Sequence, residues 1–185
     1  EAALAAADFA PGLQRTFGFQ KLAWYDGPTW QRIRQRARDR MRPAPAAPSI
    51  FASDVDPRAV AQCRRNAAAA GIPAWIDIGE ADVLERPAPG PSGLLIANPP
   101  YGVRLDDEAG LAAFYPKLGD ALKQRFAGWT ACLLTGDARL PKLIGLKPSR
   151  RTPLYNGAIE CRLFRFEIVA GRPQRAAREG TAVRQ

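Results

Sequence analysis

Short apolar segments alternate with helix-like segments from residue 49 onward. Four apolar segments have the length and composition of buried strands, at residues 49–53, 74–78, 93–97 and 129–134. Helix-like segments at residues 58–70 and 111–126 separate the first pair and the last pair of these strands. Such alternation is typical of βαβ crossovers, so the sequence predicts an α/β fold built on a mostly parallel sheet.

The end of the chain has a different pattern. Asn156-Gly157 lies between two β-prone runs, which is the strongest short signal for a β-hairpin. The second run, residues 158–169, alternates apolar with charged side chains, so we expect the parallel sheet to finish in an antiparallel hairpin. Residues 171–185 carry four arginines and little apolar content. We therefore predict one domain over residues 1–170, followed by a basic tail over residues 171–185.

The chain contains no histidine, which excludes several chemistries. Ser-His-Asp triads, histidine general bases and HExxH zinc sites all require an imidazole. The three cysteines, Cys63, Cys132 and Cys161, form no CxxC pair, so we expect no metal site and predict reduced thiols. No apolar run approaches the roughly 20 residues of a membrane span, and the N-terminus lacks the features of a signal peptide. We expect a cytoplasmic protein with no membrane partner.

The net charge points to a polyanionic partner. The sequence carries 27 Lys and Arg residues against 18 Asp and Glu, a net charge of +9, and its pI is about 10.1. Fifteen of the cations, against eight anions, lie in residues 101–185. An excess of this kind most often indicates nucleic acid. A generally arginine-rich and alanine-rich composition would give the same excess, and that alternative stays open.

Polar side chains follow the predicted strands at the end where doubly wound sheets bind ligands. Asp54 closes the first strand, where a carboxylate can accept both hydroxyls of a ribose. Asp82 follows the second strand, where it can accept from an exocyclic amine. Asp54 has an alternative role as the cap of the next helix. Asp56 suits that role better, because Pro57 would then occupy the first helical position.

The third strand ends in Asn98-Pro-Pro-Tyr101, a more specific signal. Two consecutive prolines continue neither a ladder nor a helix, so they hold the backbone stiff. The Asn98 amide oxygen and the Pro99 carbonyl oxygen then form a pair of acceptors for both hydrogens of a planar amino group, while the Tyr101 ring stacks on the attached base. Accepting those hydrogens makes the nitrogen a better nucleophile without a strong base, which agrees with the absence of histidine.

These features resemble the amino-group branch of the class I S-adenosylmethionine-dependent methyltransferases. More closely, four segments resemble the methyltransferase domain of the THUMP-containing RNA guanine-N2 methyltransferases, above all the bacterial members that act on 23S rRNA. The segments are Glu1-Ala-Ala-Leu-x-Ala-Ala-x-x-Ala-Pro-Gly12, Ser53-Asp-Val-Asp-Pro57 with Asn66 and Gly71, Asn98-Pro-Pro-Tyr-Gly-Val-Arg-Leu105, and Leu154-Tyr-Asn-Gly-Ala-Ile-Glu-Cys161. The resemblance covers residues 1–169 and implies a Rossmann-like class I methyltransferase sheet.

The resemblance also implies a binding site for S-adenosylmethionine. Asp54 would bind the ribose of this cofactor and Asp82 its adenine amino group, with Val55 and Val83 against the adenine ring. Asn98 would stand at the boundary between cofactor and substrate and contact both.

The motif after the third strand would bind the target base. The resemblance implies that Asn98, Pro99 and Tyr101 hold a guanine, with Pro100 completing the rigid turn. Arg104 would meet a phosphate or the base, although a solvated surface arginine is equally consistent with the sequence.

One family feature is not present in this sequence. Members of the family carry an Asp-Pro-x-x-Gly-Ser-Gly-Thr type segment directly before the position equivalent to Glu1, which forms the central strand and a glycine-rich loop at the methionine end of the cofactor. We therefore expect a sheet that lacks its first, central strand, between the strands of Ile50 and Leu95, and we interpret the chain as a fragment.

The implied function is transfer of a methyl group from S-adenosylmethionine to the exocyclic N2 amine of a guanine in 23S rRNA. Phosphate contacts would come from the arginines of a predicted helix at residues 30–42, from the basic residues at 139–151 and from the tail. Three alternatives stay open: adenine-N6 methylation of DNA, methylation of a protein glutamine amide, which the charge disfavours, and a non-catalytic RNA-binding module with the same fold.

Overall fold

The computed structural model describes residues 1–100 and 108–169. The chain divides into two compact units, of which unit 1 comprises residues 1–82 and unit 2 begins at Val83. Within the described ranges, no helix is both long enough and apolar enough to cross a membrane.

Unit 1 combines three α-helices with a two-stranded parallel sheet. Its elements are α1 (Ala2–Ala6), α2 (Gly27–Asp39), β1 (Ile50–Asp54), α3 (Pro57–Ala69) and β2 (Ile76–Glu80), with 3₁₀ turns at Gly18–Lys21 and Pro73–Trp75. The two strands pair from Ile50 opposite Ile76 to Asp54 opposite Glu80. Gly71 follows α3 with a φ of 74°, a left-handed conformation that favours glycine after a helix. This βαβ unit is the one predicted from the alternation of segments.

Capping by Asp26 sets the start of α2. Asp26 accepts hydrogen bonds from the Thr29 amide at 2.9 Å and from the Thr29 hydroxyl at 2.6 Å, and Pro28 lies in the first turn. Because these bonds satisfy donors at the helix end, α2 begins at Gly27, three residues before the start expected at Trp30. The hydroxyl bond, more than the amide bond, holds the pKa of the Asp26 carboxyl below its ordinary value.

Unit 2 contains a four-stranded mixed sheet with the strand order β3-β4-β6-β5. Its elements are β3 (Gly93–Ala97), α4 (Glu108–Arg125), β4 (Trp129–Thr135), α5 (Leu140–Leu143), β5 (Arg150–Asn156) and β6 (Ile159–Glu167). β3 and β4 are parallel, whereas β6 runs antiparallel to both β4 and β5. The predicted C-terminal antiparallel hairpin is confirmed.

The core of unit 2 is formed by α4, α5 and the strands β4 and β6. Its fully buried side chains include Tyr115, Leu122, Leu133, Phe164 and Phe166. α4 approaches the residue after α5 so closely that a Cβ on Gly119 would lie 1.9 Å from the Ile144 carbonyl oxygen. Glycine at position 119 is therefore a packing requirement.

The described residues form two sheets, and no ladder among them joins β1 to β3. Large apolar side chains are exposed on both strands: Phe51 on β1, and Leu94 and Ile96 on β3. The strand expected between the strands of Ile50 and Leu95 stays a prediction. The single domain predicted over residues 1–170 stays a prediction, and the tail at residues 171–185 lies outside the described residues.

Candidate functional site

The first group of predicted site residues lies at the carboxyl edge of the β1–β2 pair in unit 1. Asp54 is the last residue of β1 and stands opposite Glu80, the last residue of β2. Asp82 follows β2 by two residues and is half-buried, so both predicted carboxylates lie at the same end of two neighbouring strands. This is the edge at which parallel sheets bind ligands.

Two aspartates two residues apart have different roles. The Asp56 carboxylate accepts a hydrogen bond of 2.8 Å from the Arg58 amide and caps α3, with Pro57 in the first turn. Asp54 accepts from the Asp56 amide at 2.9 Å, which fixes the turn between β1 and α3. Asp54 therefore does not cap the helix, and its exposed carboxylate is able to accept further hydrogen bonds.

An apolar side chain accompanies this carboxylate. Val55 is 62% exposed, directly after Asp54. An exposed valine beside an exposed carboxylate suits a nucleoside, because the carboxylate accepts from ribose hydroxyls while the apolar side chain covers the base. The residues present in unit 1 therefore fit the ribose and adenine of S-adenosylmethionine.

The second group of predicted site residues follows β3 in unit 2. Asn98 comes directly after the strand and is exposed, whereas Pro99 is buried. The Pro100 carbonyl accepts a hydrogen bond of 2.8 Å from the hydroxyl of Tyr115 on α4. The turn is thus held both by its two prolines and by a buried tyrosine. Tyr101 and Arg104 lie outside the described residues.

Val83 is the first residue of unit 2 and is partly buried against the hydrophobic core of that unit. Much of its side chain is engaged in packing, and its predicted contact with the adenine ring stays a prediction. The structure brings Asp54, Val55 and Asp82 together at one edge of unit 1, and it holds Asn98 and Pro99 on one turn of unit 2.

Tyr115, which is bonded to the turn after β3, was not identified from the sequence. It lies on the apolar face of α4 and is 0% exposed. A buried tyrosine hydroxyl needs a hydrogen-bond partner, so a tyrosine on an apolar helix face is a usable signal. The sequence did not identify that partner as the Pro100 carbonyl.

A second missed feature lies in the loop after β4. The Arg139 guanidinium forks onto the Asp137 carboxylate, with Nη2 at 3.1 Å from Oδ2 and Nε at 3.1 Å from Oδ1. This hydrogen bonding holds the pKa of the Asp137 carboxyl below its ordinary value. Because β4 is parallel to β3, Arg139 lies at the same carboxyl edge of the sheet as Asn98.

α2 presents a basic surface on unit 1. Arg34 is half-buried and donates to the Leu13 carbonyl at 3.1 Å. The other arginines of this segment are exposed, and none of them forms an ion pair with a carboxylate of the described residues: Arg32, Arg36, Arg38, Arg40 and Arg42. They suit contacts to phosphate groups. Across residues 1–100 and 108–169, no group of three or more Cys, Asp or Glu side chains is arranged to hold a metal ion.

Comparisons with known proteins show the family to which the chain belongs. The family profile of the RMKL-like methyltransferase domain matches residues 1–165. The "Ribosomal RNA large subunit methyltransferase K/L" of Pseudomonas putida (strain GB-1) is 37% identical over 196 residues, covering 100% of this chain and 27% of the relative. The corresponding protein of Shewanella baltica (strain OS155) is 40% identical, covering 95% of this chain and 25% of the relative. The chain thus spans about a quarter of the length of these curated relatives.

Solved structures match as well. The protein SMU.472, solved in complex with SAH, superposes with a TM-score of 0.83 and 28% identity, over 94% of this chain and 45% of that protein. Its fold is that of a class I methyltransferase, and the α/β fold predicted from the sequence is confirmed.

Proposed function

Because the chain belongs to the RMKL-like methyltransferase domain family, we propose that it is the catalytic part of an rRNA methyltransferase. The reaction is transfer of a methyl group from S-adenosylmethionine to the exocyclic N2 amine of a guanine in 23S rRNA. The observation that carries this proposal is the rigid turn after β3, which holds Asn98 exposed and is tied to α4 through the Pro100 carbonyl.

Three of the residues proposed for the cofactor belong to unit 1. Asp54 accepts from the ribose hydroxyls, Val55 covers the adenine, and Asp82 accepts from the adenine amine; Val83 and Asn98 complete this set. S-adenosylmethionine, when bound, supplies an electrophilic methyl group. The exposed carboxylate and valine at the end of β1 support this assignment.

The turn of unit 2 is proposed to orient and activate the target amine. The Asn98 amide oxygen and the Pro99 carbonyl oxygen accept its two hydrogens, which directs the nitrogen lone pair out of conjugation with the base. Tyr101 is assigned to stack on the guanine. The amine needs no prior deprotonation, because its proton becomes acidic once the nitrogen is alkylated. The residues therefore contribute positioning and fixed acceptors rather than a base.

Two features support ribosomal RNA as the partner. Both relatives compared above are described as large-subunit rRNA methyltransferases. The chain carries a net charge of +9, and exposed arginines on α2 offer phosphate contacts. We place the reaction in the cytoplasm, where ribosomal RNA is available and where the three free cysteines would stay reduced.

The proposal is tested on the full-length gene product. The purified protein is incubated with methyl-labelled S-adenosylmethionine and with 23S rRNA from a strain that lacks the gene, and the digested nucleosides are analysed by mass spectrometry. We expect N2-methylguanosine. Label in N6-methyladenine of a DNA substrate would favour the adenine enzyme instead. Calorimetry that detects RNA binding but no binding of S-adenosylmethionine would favour a non-catalytic module.

A further inference from the structure

The tip of the β5–β6 hairpin is a prominent exposed surface that the proposed reaction does not use. Asn156 pairs with Ile159, so the loop consists of two residues, and its first residue, Gly157, has a φ of 63°. This geometry is typical of a tight hairpin turn. Tyr155 is 75% exposed next to this turn. A large aromatic side chain left in solvent at a rigid tip is a candidate contact for a partner.

The strand register shows toward which edge of the sheet this tip points. β4 runs parallel to β3, and β6 runs antiparallel to β4, with Thr135 opposite Arg162 as the last pair. β6 extends three residues beyond that pair, to Ile159. At roughly 3.3 Å per residue, the tip projects about 10 Å beyond the carboxyl end of β4. The tip therefore lies beyond the same carboxyl edge of the sheet as Asn98.

The order of the strands gives the lateral separation. β6 is the second strand from β3 and β5 is the third. With neighbouring strands about 4.8 Å apart, β5 lies roughly 14 Å from β3. Tyr155 on β5 is therefore too far away to contact a base held at Asn98. A nucleotide adjacent to that base in the same RNA strand is the nearest part of the substrate to this tyrosine.

A cation follows β4, the strand that separates β3 from β6 in the sheet. This cation is Arg139, in the loop after the strand. Asp137 holds the Arg139 guanidinium in a fork, and the arginine side chain remains 60% exposed. A second arginine, Arg162, lies on β6 at the base of the tip, bonded to Glu160 at 3.3 Å. An RNA strand crossing this edge would meet cations where its phosphates pass and an aromatic ring beyond them.

The net positive charge of this part of the chain is complementary to the negative charge of an RNA strand. Residues 108–169 contain ten Lys or Arg residues against five Asp or Glu. Stacking on an exposed aromatic ring is the usual way in which proteins hold unpaired bases. Leu154 and Ile159 are also partly exposed beside Tyr155, so the preference for RNA over a protein partner rests on the positive charge of this region.

We propose that the hairpin tip binds an unpaired nucleotide that flanks the target guanine, with Tyr155 stacked on its base and Arg139 on a phosphate between the two nucleotides. This inference rests on the proposed function, because it presumes an RNA substrate at Asn98. It adds a determinant of RNA affinity and sequence context outside the catalytic turn. Tyr155 touches neither the methyl group nor the target amine, so its contribution is to binding of RNA rather than to the chemical step.

The test compares Tyr155→Ala, Tyr155→Phe and Tyr155→Trp in the full-length gene product. Val169→Ala is the matched control, because Val169 is 76% exposed and lies just beyond the end of β6 remote from the tip. The KM for unmethylated 23S rRNA, the kcat and the Kd for S-adenosylmethionine are measured for each variant. We expect Tyr155→Ala to raise the RNA KM about tenfold, with kcat and the cofactor Kd within twofold of wild type.

The conservative variants separate stacking from other roles. Tyr155→Phe and Tyr155→Trp should restore the RNA KM to within about threefold of wild type, because each keeps an aromatic face. The control variant should behave as wild type. An RNA KM within twofold of wild type for Tyr155→Ala would overturn the proposal, and so would a loss that neither aromatic variant rescues. A lower midpoint of urea unfolding for Tyr155→Ala without any change in RNA KM would instead assign the tip to protein packing and overturn it equally.

Photo-crosslinking tests the position of the nucleotide. p-Benzoylphenylalanine at position 155 should attach to a nucleotide beside the methylated guanine. Attachment to that guanine itself would contradict the 14 Å separation inferred from the strand order. If wild-type enzyme methylates no RNA, the proposed function fails on that result alone. Filter binding of the same rRNA to wild type and to Tyr155→Ala then still decides whether the tip binds RNA.

Discussion

The hydroxyl of Tyr115 donates a hydrogen bond of 2.8 Å to the carbonyl oxygen of Pro100. Tyr115 is fully buried in the core of unit 2, whereas Pro100 belongs to the exposed turn that carries Asn98. A core side chain therefore holds the backbone of the proposed active-site turn. The two prolines restrict the turn internally, and the tyrosine attaches it to α4.

Removing this attachment should affect turnover more than binding. Tyr115→Phe keeps the ring and deletes the donor, and we expect a loss of about 0.5–1.5 kcal/mol in the free energy of unfolding. If the Asn98 and Pro99 acceptors lose their fixed position, kcat for methyl transfer should fall roughly tenfold while the Kd for S-adenosylmethionine stays within twofold. Urea unfolding and steady-state kinetics measure the two effects. An unchanged kcat would show that the prolines alone hold the turn.

Asp54 and Asp56 allow a matched comparison two residues apart. Asp54→Ala removes the acceptor proposed for the ribose, so affinity for S-adenosylmethionine should fall at least about tenfold. It also removes the 2.9 Å bond from the Asp56 amide and should cost about 0.5–1.5 kcal/mol of stability. Asp56→Ala removes the cap of α3, seen as the 2.8 Å bond from the Arg58 amide, and should cost about 1 kcal/mol of stability. Its cofactor affinity should stay near wild type. Calorimetry measures the affinity of both variants for S-adenosylmethionine, and urea unfolding measures their stability. Equal losses of cofactor affinity in the two variants would refute the assignment of Asp54 to the ribose.

The ion pair between Asp137 and Arg139 should be measurable through the pKa of the Asp137 carboxyl. The side-chain hydrogen bond from Arg139 holds the pKa of Asp137 below its ordinary value of 3.8. Arg139→Ala should raise that pKa toward the ordinary value, as followed by NMR titration of the carboxyl carbon. Lys142→Ala serves as the control, because Lys142 makes no ion pair within the described residues. The backbone amide of residue 139 also donates to Asp137 and remains in the variant, so the rise should be partial. A pKa unchanged from wild type would rule out the guanidinium as a cause.

The same ion pair also predicts how the free energy of unfolding changes with pH. A carboxyl with a lower pKa in the folded state stabilises that state above the unfolded pKa and loses the effect as the pH falls through the folded pKa. The difference in unfolding free energy between wild type and Arg139→Ala should therefore be greatest near neutral pH and shrink below pH 3.8. Because Arg139 is mostly exposed, we expect less than about 1 kcal/mol. A difference that grows in acid would contradict this account.

Gly119 should tolerate no side chain, although it lies inside a helix. Alanine normally stabilises a helix interior relative to glycine by about 1 kcal/mol. Here an added Cβ would lie 1.9 Å from the Ile144 carbonyl oxygen, which belongs to the backbone and cannot rotate away. We expect Gly119→Ala to destabilise the protein by about 1–3 kcal/mol or more. Gly18→Ala, where a Cβ meets nothing within 4 Å, is the control. Thermal unfolding of the two variants measures the difference.

Local signals in the sequence were sufficient to predict most elements of the fold. Alternating apolar segments predicted the strands, and Asn156-Gly157 predicted the hairpin, because turn and strand preferences act between neighbouring residues. An observed helix boundary differs from the predicted one where a side-chain cap sets it, as at Asp26 before α2. The apolar residues at helical spacing in the predicted helix at 30–42 are not all buried: Ala37 is buried, whereas Ile33 and Met41 are exposed. Periodicity identifies an apolar face but not whether another element covers it.

The candidate site could be predicted only as far as strand ends and motifs allow. Asp54 and Asn98 were found because both follow predicted strands directly. The contact of Tyr115 with Pro100 and the position of Tyr155 depend on contacts and registers between residues far apart in the sequence, which no local pattern contains. Arg139 is among the basic residues at 139–151 that the sequence predicts for phosphate contacts. The order of the strands places β4, which precedes the loop of Arg139, between β3 and β6.

The central claim is that Asn98 supplies an acceptor for the amine of a guanine. Its most direct test is the amount of N2-methylguanosine formed in 23S rRNA by full-length wild type, Asn98→Ala and Asn98→Asp, measured by nucleoside mass spectrometry. We predict a loss of about 100-fold or more for Asn98→Ala and partial retention for Asn98→Asp, which keeps an acceptor oxygen. Undiminished N2-methylguanosine from Asn98→Ala would contradict the account.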